Sequence, residues 1–188
     1  MKNRLEFFTP LMHRNEYKFV EKYLNPECTL FEWGAGNGTL YFSGLVKHLV
    51  SLEHDIDYYE TIKTNLDLFE VENVELIYVR PNSGDRTKSR YEQFKDYVDY
   101  PVTNNLQFDV YLIDGRARKD CAKIIHNYIR KDDIVLIHDF NHNDVEGYED
   151  KAYFEDILNI YDVVEYEKSG RGIIALKRKY NDLFSVEE

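Results

Sequence analysis

The feature that most limits how this chain can fold is a sustained alternation. Short runs rich in β-branched and aromatic residues are separated by stretches whose apolar positions recur at helical spacing. Strands are expected at TLFEW (29–33), HLVSLE (48–53), VELIYV (74–79), FDVYLID (108–114) and DIVLIHD (133–139). Helices are expected over residues 13–24, 39–48, 56–69, 119–129 and 151–158. In the first of these, Phe19, Val20, Tyr23 and Leu24 share a face, and Asn25-Pro26 stops the run. Two final runs, YDVVEYE (161–167) and GIIALKRK (172–179), flank Lys168, Ser169, Gly170 and Arg171 and read as an antiparallel hairpin. Five strand-and-helix units followed by a hairpin make an α/β fold, with a mostly parallel sheet closed by an antiparallel pair.

Nothing divides the chain. Its 188 residues, 43% of them apolar, suit one core and one domain over 1–188, with a helical lead-in at 1–26. Residues 81–105 are polar and tyrosine-rich, with a short helix expected at 91–98, and fit either a lid or a decorated connection. No signal-peptide core or membrane-length apolar run occurs, so a soluble, cytoplasmic protein with no membrane partner is expected. A net charge of −11 disfavours nucleic acid as a partner, although local basic patches remain compatible with it. Cys28 and Cys121 lie too far apart for a zinc motif and read as buried, reduced thiols. The oligomeric state is left open, with a homodimer among the options.

Glu32-Trp33-Gly34-Ala35-Gly36-Asn37-Gly38-Thr39 falls where the first strand turns into a helix. Glycine there lets the backbone bend sharply and approach a ligand, although a plain turn would use the same residues. The neighbours decide between ligands. A dinucleotide fingerprint needs its third glycine three residues after the second, and that position is Thr39. Glu32, an acid at the strand end, suits an ammonium better than a phosphate. The second strand ends in Leu52-Glu53-His54-Asp55, about 20 residues on, where an acid can accept hydrogen bonds from ribose hydroxyls, and Glu53 is the candidate.

EWGAGNGT followed by VSLEHD resembles the first two motifs of the class I S-adenosylmethionine-dependent methyltransferases. The order of elements is similar to that family over nearly the whole chain. The resemblance implies a Rossmann-like, doubly wound seven-stranded sheet and S-adenosyl-L-methionine as cofactor. It implies that Gly34, Ala35, Gly36 and Gly38, with Thr39, line the methionine end, that Glu32 faces its amino group, and that Glu53 with His54 holds the ribose. Asn82 and Asp85, after the third strand, become the adenine candidates. DVYLIDGRARKDCA and IVLIHDFN further resemble the small-molecule and sugar O-methyltransferases, including glucuronoxylan methyltransferase-like proteins.

Methyl transfer to a hydroxyl needs the acceptor held in line and its proton removed. The crevice of an open α/β sheet lies beyond the carboxyl ends of its strands, which collects Asp114, His138 and Asp139 as catalytic candidates. In one reading Asp114 and Asp139, with Asn141 or His142 as the third ligand, hold Mg²⁺ or another divalent cation, Phe140 standing where metal-dependent relatives carry Asn. In the other, His138 or Asp114 is a metal-free base. His138 could equally be a satisfied strand residue, and Asp114 a helix cap. Arg80, Arg86, Lys88 and Arg90 follow the third strand and Arg116, Arg118 and Lys119 the fourth. They form a basic rim in which Arg116 and Arg118 are the acceptor-binding candidates, unless the rim serves only surface ion pairs.

The expected function is O-methyl transfer to a small, anionic or sugar-containing acceptor: a sugar, a uronic acid or a nucleotide sugar. An RNA methyltransferase is the main alternative, behind which stand a non-catalytic nucleoside-binding module and an NAD-dependent dehydrogenase.

Overall fold

A computed structural model describes residues 8–141 and 154–180. The elements in order are α1 (Arg14–Glu21), β1 (Thr29–Trp33), α2 (Asn37–Ser43), β2 (His48–Glu53), α3 (Ile56–Leu68), β3 (Val74–Tyr78), α4 (Arg90–Gln93), α5 (Lys95–Thr103), β4 (Val110–Ile113), α6 (Arg118–His126), β5 (Ile134–His138), α7 (Glu155–Ile160), β6 (Tyr161–Glu167) and β7 (Ile173–Arg178).

The strands form one sheet in the order β3-β2-β1-β4-β5-β7-β6. β3 to β5 run parallel, whereas β7 is antiparallel to both β5 and β6. The chain winds outward from β1 through β2 and β3, then returns to place β4 on the other side of β1. The reversal leaves a crevice beyond the carboxyl ends of β1 and β4, where such sheets bind ligands.

Both faces of the sheet are covered, and the alternation along β1 shows how. Phe31 and Trp33 point into a core with Val50, Leu52, Tyr111 and Ile113, covered by Tyr97 and Val98 of α5 and Cys121, Ala122 and Ile125 of α6. Leu30 points to the opposite face, with Phe19 and Val20 of α1 and Phe42 of α2. Glu32 alternates with Phe31 and Trp33, so it is carried on the α1 and α2 face at the end of a strand buried on both sides.

Boundaries depart from the sequence expectation in instructive places. The helix expected over 39–48 ends at Ser43, because Lys47 already donates its backbone N–H to the Cys28 carbonyl in line for β2. The helix expected at 151–158 is α7, displaced toward the C-terminus, and 151–153 lie outside the described residues. Within 81–105 the structure has α4 and the longer α5 in place of one short helix at 91–98. Phe94, Tyr97, Val98 and Pro101 are buried there, so this part of the stretch belongs to the core, and residues 84–90 form its exposed part. The two cysteines are buried, free thiols. No helix among the described residues is long and apolar enough to cross a membrane.

Candidate active site

The two loops that leave β1 and β4 touch, and glycine makes the contact feasible. Gly34 sits at φ +100°, a region that favours glycine, and a Cβ on it would lie 2.7 Å from the Gly115 Cα. A Cβ on Gly115 would in turn lie 2.0 Å from the buried Tyr97 hydroxyl. Backbone bonds fix this floor: Gly34 and Ala35 donate to the Leu52 carbonyl at 2.9 and 3.0 Å, and Asp114 donates to the Trp33 carbonyl at 2.9 Å. Gly34 therefore serves backbone-to-backbone packing, while Gly36 and Gly38 keep the cleft wall low beside Tyr58 and Glu32.

Above that floor opens a cleft of about 820 Å³, within the size range of small-molecule and cofactor sites. Glu32, Gly34, Ala35, Gly36, Gly38, Glu53, His54, Asp114, Arg116, Arg118, His138 and Asp139 all line it, so the sequence candidates from four strand ends meet in one space.

Glu32 is 2% exposed. Its Oε2 accepts hydrogen bonds from the Thr39 hydroxyl at 2.5 Å and the Ser51 hydroxyl at 2.6 Å. Burial pushes its pKa up to about 8 against those two hydrogen bonds, and the nearby acids Asp114 and Glu53 push the same way. Its Oε1 stands beside Gly38 on the cleft side. This is a buried acid surrounded by hydroxyls and other acids, an arrangement that a ligand cation would complete.

Glu53, 3% exposed, is pinned by its own turn: Oε1 accepts from the backbone N–H groups of His54 and Asp55, both at 2.8 Å. Its orientation is thereby fixed by local backbone. His54 Nδ1 lies 2.8 Å from the same oxygen, and the imidazole packs edge-on against Phe94 and Tyr97.

Across the cleft the groups are charged and mutually paired. His138 is 3% exposed at the end of β5, with Nδ1 2.6 Å from Asp114 Oδ1 and 3.4 Å from Asp139 Oδ1. Its Nε2 lies 3.3 Å from Oε2 of Glu16, an acid of α1 that is 1% exposed. Burial opposes the imidazolium, but hydrogen bonding and attraction from Asp114 and Glu16, with Asp139 adding to them, win and raise its pKa to about 9. Glu16 moves the other way: despite burial, the His138 contact and backbone N–H donors hold its carboxyl below the usual range. Arg118 brings a guanidinium nitrogen to 2.7 Å from Asp139 Oδ2 and 3.5 Å from Asp114 Oδ1. Asp139 itself adopts φ +58°, a strained backbone for a non-glycine residue, at the rim of the site.

Four sequence candidates are placed elsewhere. Thr39 is fully buried beneath the loop, donating to Glu32 and accepting from the Gly36 N–H, so it supports the acid without lining the cleft. Asn82 caps the start of α5, its Oδ1 accepting from the Asp96 N–H at 2.9 Å, and Asp85 closes a local turn onto Thr87. Neither lines the cleft, and their polar groups serve the connection after β3. Asn141 is turned toward the hairpin, donating to the Lys168 carbonyl at 2.8 Å and accepting from the Tyr166 hydroxyl. It stands apart from the only cluster among the described residues able to bring at least three metal-ligand atoms within 4.8 Å of one another, that of Asp114, His138 and Asp139. His142 lies outside the described residues.

That cluster does not fit a resident magnesium ion in this arrangement. Mg²⁺ asks for oxygen ligands at about 2.1 Å in an octahedron, which separates neighbouring ligand atoms by roughly 3 Å. Here Asp114 Oδ1 and His138 Nδ1 are 2.6 Å apart, the distance of a shared proton, and Arg118 occupies the Asp139 carboxylate.

Sequence reasoning missed Glu16, Tyr58 and the Pro10-Leu11-Met12 segment. The last two line the cleft, and Glu16 reaches it through His138. Tyr58 was within reach as the residue following the Asp55 cap of α3 by one turn. Glu16 carried only the signal of an N3 acid in a capping box, and its Oε2 does accept the His13 N–H at 2.6 Å.

The strand order and the helices on both faces are those of the class I methyltransferase fold. A methyltransferase-like protein of Silicibacter pomeroyi matches with a TM-score of 0.65 at 20% identity, over 91% of this chain and 88% of its own. A putative methyltransferase of Escherichia coli matches at 0.62 and 7% identity over 93% and 91% of the two chains. A putative methyltransferase of Streptococcus mutans in complex with SAH matches at 0.58 and 12% identity over 87% and 95%. No known sequence family and no curated protein matches the chain, so the finer resemblance to glucuronoxylan methyltransferase-like proteins finds no support there.

Proposed function

We propose that this chain is an S-adenosylmethionine-dependent methyltransferase, acting on a hydroxyl of a small, anionic or sugar-containing acceptor. The observation that carries the reading is Glu32, a buried acid presented to the cleft by a glycine loop, held by Thr39 and Ser51 and paired with no cation among the described residues. An α-ammonium supplies that charge, and Glu53 on the neighbouring strand end faces the same cleft as a ribose acceptor. A dinucleotide pyrophosphate would meet Glu32, Glu53, Asp55 and Asp57 on this side instead, which disfavours a nicotinamide cofactor.

When bound, S-adenosylmethionine supplies a methyl group made electrophilic by its sulfonium. The acceptor oxygen forms its bond to that carbon as the carbon–sulfur bond breaks, and the hydroxyl proton needs somewhere to go. Asp114 is the acceptor for it: it is the most exposed acid of its cluster, and His138 and Arg118 hold its carboxylate in place. His138, raised to about 9 and buried, already carries its proton at neutral pH and is suited to holding Asp114, not to accepting a proton itself. The reaction is therefore read as metal-free, with Asp139 fixed by Arg118 and shaping the wall.

Calorimetric titration tests the donor: binding of S-adenosylmethionine and its demethylated product without NAD is expected, and binding of NAD alone overturns the reading. Transfer of labelled methyl to uronic acids, deoxysugars or nucleotide sugars tests the acceptor. Turnover should persist in excess chelator, and its loss would restore the divalent cation. RNA is the second acceptor reading, favoured by the basic residues after β3 and by the likeness, in fold alone, to an rRNA methylase of Streptococcus thermophilus with a TM-score of 0.57 at 12% identity. Methylation of RNA in preference to every small acceptor would establish it.

A further inference from the structure

Apart from the exposed Arg80, which lines neither cavity, the structure divides the basic rim into two groups with different circumstances. Arg118 is committed to Asp139, and Lys119 to Asp156 at 3.2 Å. Arg86, Lys88, Arg90 and Arg116, by contrast, surround one cavity of about 480 Å³ together with His54 and Phe94. No ion pair among the described residues engages any of those four cations. Arg90 makes one side-chain hydrogen bond, to the neutral Gln93 amide at 3.3 Å.

Local chemistry keeps them available. The acids in the same stretch are occupied by other groups: Asp85 accepts from the Thr87 hydroxyl and N–H, Glu92 from the Ser89 hydroxyl and N–H, and Asp99 from Lys95 and the Tyr91 hydroxyl. In a chain of net charge −11, four cations line one cavity while the nearby Asp85 and Glu92, held by neutral hydroxyl and N–H donors, make no ion pair with them among the described residues, which concentrates positive charge on this wall. The cavity also adjoins the main cleft, since His54 and Arg116 line both. Arg116 lies two residues beyond Asp114 and lines both spaces, so an anion seated here is placed to be part of a molecule whose hydroxyl reaches Asp114.

We infer that the cavity bounded by Arg86, Lys88, Arg90 and Arg116 is the acceptor's anion subsite and takes a phosphoryl group, a phosphomonoester or diphosphate carried on the small molecule that is methylated. The inference rests on the methyltransferase reading for its place in catalysis, but not for the existence of the subsite. A single carboxylate would leave most of the positive charge unanswered, whereas a phosphoryl dianion or a diphosphate offers several acceptor oxygens to three guanidinium forks and an ammonium. The cavity's limited size and the overall acidity favour a small molecule over an RNA strand, whose tracking would call for a basic groove well beyond it.

The test begins with S-adenosylhomocysteine, whose binding reads the donor site alone. In protein saturated with it, inorganic pyrophosphate should bind and acetate and glucuronate should bind far more weakly. The R86Q/R90Q double variant should lose pyrophosphate affinity by about 30-fold or more, and K88Q by about tenfold, with unchanged affinity for S-adenosylhomocysteine. Unaltered pyrophosphate binding in these variants, no pyrophosphate binding by a wild-type protein that binds S-adenosylhomocysteine, or equal binding of the carboxylates overturns the inference. So does displacement of pyrophosphate by single-stranded RNA with affinity that grows with strand length. A protein that binds pyrophosphate through these residues but not S-adenosylhomocysteine keeps the subsite and removes the methyltransferase reading.

Discussion

The two walls of the cleft both carry buried acids and treat them oppositely. On the β1–β2 side, Glu32 and Glu53 are met by hydroxyls and backbone N–H groups, and Glu32 has no positive partner among the described residues. On the β4–β5 side, Asp114, Asp139 and Glu16 are met by His138, Arg118 and, at 3.7 Å from Asp139, Arg171, so three acids face three cations of the protein. In the proposed reading the first wall takes its cation from a ligand and is a binding surface. The second is already electrostatically satisfied and fixes the geometry of one carboxylate, as a positioning surface should.

The largest effect should come from breaking the balanced wall. His138→Gln leaves the surrounding acids without their buried cation and should cost about 3–5 kcal/mol of stability at neutral pH, measured by denaturant unfolding. The same group sets a pH dependence. Because the folded pKa of about 9 lies above the unfolded value near 6.5, its contribution of about 3 kcal/mol is fully present below pH 6.5 and is lost as the pH rises through 9. Glu32 acts in the same sense but earlier: its folded value of about 8 lies above 4.5, so its share of the decline runs from about pH 4.5 to 8 and that of His138 from 6.5 to 9. His138→Gln should flatten the part of that decline near pH 9; an unchanged profile would remove His138 from the network.

The open wall should respond in binding, with no loss of stability. Glu32→Gln preserves shape, keeps polar atoms for Thr39 and Ser51 and removes the cost of the raised carboxyl, so at neutral pH it should unfold no earlier than the wild type, while affinity for S-adenosylmethionine should fall by about 10–100-fold, the worth of a hydrogen bond to a charged group. A variant that unfolds early and binds normally would reverse the contrast between the walls.

The smallest effect is a proton. Glu32, raised to about 8, is mostly protonated in the free protein at pH 7, and a bound ammonium favours its ionised form. Binding at pH 7 should release a proton, visible as a calorimetric enthalpy that depends on the buffer, and Glu32→Gln should abolish that release. Buffer-independent binding enthalpy in the wild type would place the ammonium elsewhere.

The sequence by itself determined the parts that depend on near neighbours. Period-two apolar runs and helical spacing gave the α/β alternation and the closing hairpin, because each element's burial pattern is written in its own residues. That the loop after β1 and the acids ending β1 and β2 would share one cleft was legible for the same reason: Gly34 to Gly38, Glu32 and Glu53 lie within a few residues of their own strand ends, and Glu53 is held by the two N–H groups that follow it. Reading Thr39 as a ligand failed by one layer, since only the fold shows that its hydroxyl points down at Glu32. The fate of the charges beyond that was decided by tertiary structure. Glu16 meets His138 from 122 residues away, Arg118 is spent on Asp139, and four other cations are left together around a cavity. Charge interacts through space without regard to sequence separation, so which acids and bases cancel, and which remain for a ligand, is settled only when the strand ends are brought to one crevice.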